Sequence, residues 1–176
     1  MSLDKVKYQS MGDDDIRYYL PNAKIMTYNE LSEIENITDL LPKHKSYVIL
    51  LYPVTSETDG HWVCLTRYRR NIEYFDSYGK KPDEPLSWGK YKSTPRYLSK
   101  LLDKTNLRVV YNEIDFQSKR DYTITTCGAY VVFRILTMIE MNADLNKNNL
   151  ILKTLKEANE DNKTYDDIVV EFINKR

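Results

Sequence analysis

The chain has 176 residues, with 26 Lys and Arg against 26 Asp and Glu, 41% hydrophobic residues and two cysteines. A formal net charge of zero excludes a global field for nucleic acid or anionic membranes, and two cysteines build neither a disulfide framework nor a four-thiolate zinc site. The longest apolar run, residues 47–54, is eight residues and includes Pro53, far short of the roughly 20 that span a bilayer. The N-terminus lacks an apolar signal core, so the reading is a single domain over residues 1–176 in a reducing, intracellular setting. Usage skewed toward Lys, Asn, Ile and Tyr is what AT-rich coding sequence produces, and it points to a viral or parasitic genome.

In chain order, Asp13 to Leu20 opens with three acids suited to a helix N-terminus and stops at Pro21-Asn22. Thr27 with Glu30 three residues later has capping-box spacing and predicts a short helix over 28–34. Residues 47–52, nearly all apolar between Lys45 and Pro53, read as a central strand buried on both faces. Residues 61–68 and 71–76, rich in aromatic and β-branched side chains and separated by Arg69-Arg70, read as a hairpin. Ser93 or Thr94 as cap, with Pro95 at the first helical position, predicts an amphipathic helix ending near Thr105-Asn106. Residues 108–112 form another strand. Residues 127–139 are apolar nearly all round and too long for a strand, which predicts a helix inside the core. Amphipathic helices near 150–158 and 166–174 complete an α+β architecture, a central mixed β-sheet flanked by helices.

A thiol nucleophile needs a base, a group that orients the base, and donors for the tetrahedral oxyanion. Cys127 would open the buried helix, where the macrodipole favours an anion and unpaired N–H groups point outward. His61 opens a strand after Asp59-Gly60, and Asp76 ends the next strand, so the hairpin can bring both side chains to one end of the sheet. Gln117 carries an amide that could donate to the oxyanion beside the Cys127 N–H. Singly, each residue has a plainer reading: a structural histidine, a turn, a surface glutamine, an inert buried cysteine. Their order carries the functional reading.

Gly60-His61-Trp62, Phe75-Asp76-Ser77, Gln117 and Thr126-Cys127-Gly128-Ala129-Tyr130-Val131 together resemble the signature of the cysteine peptidase clan of adenovirus protease (adenain) and the ubiquitin-like-protein proteases. Residues 20–25, 40–42, 73–79 and 111–117 are most similar to the adenain-like maturation proteases of virophages and Polinton-type elements, and the resemblance spans roughly residues 13–140. It implies a papain-like, adenain-like fold with the nucleophile at the N-terminus of a buried helix. It also implies Cys127 as nucleophile, His61 as base and acid, Asp76 as orienting carboxylate and Gln117 as oxyanion donor, with Gly60, Trp62 and Gly128 shaping a narrow substrate groove that favours glycine.

The expected function is therefore a monomeric endopeptidase, without cofactor or metal, that cleaves capsid precursors in the virion and the host cytoplasm. An isopeptidase acting on ubiquitin-like modifiers shares the same catalytic set, and a non-catalytic interaction module shares only the fold. Cys64 reads as a buried hydrophobe and His44 as a solvated loop residue. Lys90, Lys92, Arg96, Lys100, Lys104 and Arg108, with Asp103 the one acid among them, form a basic segment for a weak DNA contact or a solvated helix face.

Overall fold

A computed structural model describes residues 2–118, 125–159 and 161–176. Helices α1 (Leu3–Tyr8) and α2 (Asp13–Tyr19) precede strand β1 (Ile25–Thr27), a 3-10 helix (Tyr28–Glu33) and α3 (Ile37–Leu40). Strands β2 (Tyr47–Ser56), β3 (Asp59–Tyr68) and β4 (Asn71–Phe75) follow, then a 3-10 helix (Glu84–Ser87), α4 (Tyr97–Lys104), β5 (Arg108–Tyr111), α5 (Cys127–Met141), α6 (Leu145–Glu157) and α7 (Tyr165–Asn174). The strands lie side by side in chain order, antiparallel from β2 to β4 with β1 and β5 parallel to their neighbours, so the sheet is mixed. The architecture is α+β, a central mixed five-stranded sheet flanked by helices.

Alternation along the strands splits the core in two. Ile49, Leu51, Trp62, Cys64 and Phe75 face α5 and the helices around it, whereas Val48, Leu50, Tyr52, Val63, Leu65, Ile72 and Tyr74 face α3, α4 and the 3-10 helices. The apolar run of β2 is continuous because both of its faces are buried. β2 runs on through Pro53 to Ser56, against the expectation that Pro53 ends it. β1 pairs only with residues 49–51, and the Ile49 N–H donates to the Lys24 carbonyl, so the missing N–H of Pro53 falls on the side of β2 that β1 no longer covers and costs no bond to β3. Gly60 is required there, since a Cβ would lie 1.8 Å from the Tyr52 carbonyl oxygen.

Other departures have similar tertiary causes. α4 begins at Tyr97, later than the Ser93 or Thr94 cap predicts, because remote buried groups receive its first N–H groups. Leu98 N–H donates to Tyr28 Oη at 3.3 Å and Ser99 N–H to Asp83 Oδ2 at 2.8 Å. α6 begins at Leu145 behind an Asp144 cap, five residues before the apolar pattern suggests. Its buried Asn148 hides the periodicity, and Asn148 is satisfied by the Thr137 hydroxyl at 2.8 Å. The segment predicted as a helix from Thr27 is a 3-10 helix with the expected Glu30 bond back to the Thr27 N–H. α1, whose Val6 is fully buried, and the short β1 and α3 were not visible in the pattern.

All residues of α5 from Cys127 to Met138 are buried, including Arg134. Its guanidinium meets Glu73 of β4 at 2.5 Å, Thr66 Oγ1 at 3.2 Å and the Ala143 carbonyl at 3.1 Å, while the other Glu73 oxygen accepts the Leu145 N–H at 3.1 Å. One ion pair thus ties α5, the sheet and the start of α6. Burial pushes the Glu73 carboxyl up, and Arg134 acts against that rise. Arg134→Met is expected to cost about 3–5 kcal/mol by stranding Glu73, and Arg134→Met with Glu73→Gln is expected to recover much of the loss. Urea unfolding of both variants checks this.

Candidate active site

His61 sits near the start of β3, opposite Tyr52, and the β3–β4 register continued past Phe75 sets Asp76 opposite Val63. His61 and Asp76 are therefore diagonal cross-strand neighbours on one face, within reach of their side chains. Nε2 of His61 lies 3.1 Å from Oδ1 of Asp76, both groups being buried. The contact is a charge pair without hydrogen-bond alignment, and Asp76 Oδ2 has no hydrogen-bond partner among the described residues. A small turn of the imidazole would complete the bond.

Cys127 opens α5 with 7% of its surface exposed, and its side chain stands within hydrogen-bonding reach of His61. Burial opposes the imidazolium, but the charge of Asp76 and the neighbouring Cys127 side chain outweigh it, so His61 is pushed up to about 10. An imidazole raised by a neighbouring carboxylate and set beside a thiol is the arrangement that can activate a cysteine nucleophile. Tyr78 and Trp88 wall the ring at centroid distances of 5.3 and 5.0 Å. Trp88 is also exposed to solvent, so it forms a rim of the site.

Two loops hold the remaining groups. Asn112 brackets Asp76, accepting its N–H at 3.1 Å and donating to its carbonyl at 2.9 Å. The Tyr78 N–H donates to Asp76 Oδ1 at 2.7 Å. Gln117 is buried, with its Oε1 accepting the Ser77 hydroxyl at 2.7 Å and its backbone N–H donating to the Ser77 carbonyl at 3.0 Å. Because Ser77 takes the carbonyl end, the amide NH2 is the end left for an oxyanion. Gly79, at φ 66°, allows the loops to touch, since a Cβ would lie 2.8 Å from the Ile114 backbone. Ser77, Asn112 and Trp88 were not singled out as site residues from the sequence. The hydrogen-bonding partner of Asp76 could have been sought in Tyr111-Asn112, but nothing local marked it.

The structure assigns packing roles to the three residues expected to shape a groove. The Trp62 indole is buried between sheet and α5, with its N–H donating to the Met11 carbonyl at 2.7 Å, so it supports the site from behind. Gly128 makes room for Met11, whose Cβ would lie 2.9 Å from a side chain there. Gly60 serves the close approach of β2 described above. His44, read as merely solvated, accepts the Arg69 N–H at 3.0 Å and so closes the β3–β4 turn, in which Arg69 adopts φ 56°. Cys64 is fully buried in β3, and burial, only partly offset by Arg134, pushes its thiol up to about 12. Lys90, Lys92, Arg96, Lys100, Lys104 and Arg108 are all exposed.

No family model matches the sequence. Protein V9 of the Sputnik virophage, an uncharacterized protein, is 37% identical over 135 residues, covering 72% of this chain and 75% of that protein. The chain belongs to the V9 family of virophage proteins. Among solved structures, the selenomethionine form of the ASFV pS273R protease is similar over 90% of this V9-family chain and 62% of its own, with a TM-score of 0.45 and 14% identity. A second structure of that protease gives a TM-score of 0.36 at 19% identity, over 72% of this chain and 41% of its own.

The raised His61 has a consequence for stability. Its contribution is fully present below the ordinary value of 6.5 and is lost as pH rises through about 10. The stability advantage of wild type over His61→Gln is therefore expected to be largest near pH 6 and to shrink toward pH 10, measured by urea unfolding across the range.

Proposed function

We propose that this chain is a cysteine endopeptidase that matures viral structural proteins in the assembling virion, cutting at small-residue, glycine-containing sites. The observation that carries the reading is the meeting of Cys127, His61 and Asp76 at one end of the sheet, with the His61 ring set between the other two side chains. Membership of a virophage family supports the viral setting.

In this mechanism the Cys127 thiol proton rests on His61, and the sulfur attacks the scissile carbonyl carbon. The carbonyl electron pair moves onto oxygen, where the Gln117 amide and the Cys127 N–H receive it. Collapse expels the amine, which takes its proton from His61, and leaves a thioester on Cys127. Water then gives a proton to His61, attacks the thioester and releases the carboxylic acid. His61 returns that proton to the departing sulfur, and the imidazolium–thiolate pair re-forms as the acid product ionises to solvent. Asp76 stabilises the imidazolium throughout.

Cys127→Ala is expected to fold and to lose all turnover, because it removes only the sulfur. Mass spectrometry of a co-expressed capsid precursor reads the cleavage, and modifier-linked fluorogenic substrates cleaved in its place would shift the assignment to an isopeptidase. Gln117→Ala is expected to lower kcat by roughly 10²-fold while iodoacetamide alkylation of Cys127 stays near wild type, since alkylation forms no oxyanion. The exposed basic segment from Lys90 to Arg108 supplies a weak DNA contact in this reading, seen as duplex binding that falls steeply with salt and is lost in Lys100→Glu with Lys104→Glu.

A further inference from the structure

Asp166 lies in the first turn of α7, far in sequence from every residue of the site, and is fully buried. Its two carboxylate oxygens reach two different segments. Oδ1 accepts the Thr126 hydroxyl at 2.5 Å, and Oδ2 accepts the Ser118 N–H at 3.1 Å. Thr126 precedes Cys127 and Ser118 follows Gln117, so one carboxylate ties the backbone beside the nucleophile to the backbone beside the proposed oxyanion donor. The Tyr130 phenol lies next to it without a well-aligned hydrogen bond.

The contact with Thr126 has a second effect. Thr126 is the N-cap of α5, where a threonine hydroxyl ordinarily accepts an N–H from the first turn, yet this side chain makes no capping bond. With its hydroxyl donating to Asp166, Thr126 leaves the first N–H groups of α5 unfilled by the cap. Those are the groups an oxyanion at Cys127 would need.

We propose that Asp166 is a positioning residue for the oxyanion site, fixing the separation of Gln117 from Cys127 and drawing the Thr126 hydroxyl away from the helix N–H groups. This rests on the reading of Cys127 as nucleophile and Gln117 as oxyanion donor. A carboxylate near a developing oxyanion is electrostatically unfavourable, so two effects oppose each other. If charge dominated, neutralising Asp166 would raise turnover. If geometry dominates, turnover falls, because an asparagine cannot accept from both segments: either its NH2 faces the Ser118 N–H, or it donates to the Thr126 hydroxyl and leaves that hydroxyl's proton without its acceptor.

The test compares wild type, Asp166→Asn, Thr126→Val and Thr126→Ser. Each is assayed for peptide turnover, for iodoacetamide alkylation of Cys127 and for cooperative thermal unfolding. Asp166→Asn and Thr126→Val are expected to lower kcat by roughly 10- to 100-fold, with KM and alkylation near wild type, and Thr126→Ser, which keeps the hydroxyl, is expected to restore turnover. Turnover unchanged or raised in both variants overturns the proposal. So does a parallel fall in alkylation, which would make Asp166 a support for the nucleophile alone, and so does loss of cooperative unfolding in both, which would make it a structural strut. Failure of the underlying reading is distinct: wild type would then show no turnover, or turnover would survive Cys127→Ala.

Discussion

The ion pair between Arg134 and Glu73 sets how α5 lies on the sheet, and the site follows from that alignment. Cys127 precedes Arg134 by seven residues, two turns on the same helix face and about 10 Å along its axis. Asp76 follows Glu73 by three residues, also about 10 Å along an extended chain. With the pair anchored at 2.5 Å, the two equal arms bring Cys127 and Asp76 to the same end of the structure, where β3 delivers His61. At the opposite end the Tyr68 hydroxyl donates to the Asn142 carbonyl at 3.0 Å, so α5 is held along the whole of β3. A buried ion pair contributes little net stability against an apolar isostere, but its directionality selects one alignment where apolar packing would tolerate several.

The site itself is built from groups that are individually unfavourable to bury. The side chains of His61 and Asp76 are both desolvated, and their burial is tolerable because they lie 3.1 Å apart and the Tyr78 N–H also donates to Asp76. The loops carrying Asp76 and Gln117 are fastened to each other through Ser77, Asn112 and the close approach at Gly79. Tyr78 and Trp88 then exclude water from the ring. In the proposed mechanism this rigidity has a chemical purpose, since donors that are already oriented need no reorganisation when charge develops.

A second buried carboxylate network supports the face of the sheet opposite the Arg134–Glu73 pair. Asp83, at φ 69°, accepts the Tyr28 and Tyr52 hydroxyls at 2.8 and 3.0 Å and the Ser99 N–H at 2.8 Å. It thereby joins the 3-10 helix after β1, strand β2 and the start of α4. The same segment leads, five residues later, to Trp88 over His61, so the rim of the site is anchored in the core beneath it.

The sequence by itself determined the elements whose signals are local. The period-two hairpin of β3 and β4, the all-round apolar α5 and the capping box at Thr27 stand close to where side-chain patterning placed them, because periodicity and caps are short-range properties. The candidate residues His61, Asp76, Gln117 and Cys127 were likewise legible, through their order and their neighbours. Only the tertiary structure decided where α4 and α6 begin, since Tyr28, Asp83 and Asn148 act on those helices through contacts distant in sequence. It also decided that Trp62 and Gly128 pack against Met11 and that Arg134, in an apolar helix, finds Glu73. The physical reason is common to all of these: a buried polar or charged group must find its partner wherever the fold supplies one, and no local pattern records which partner that is.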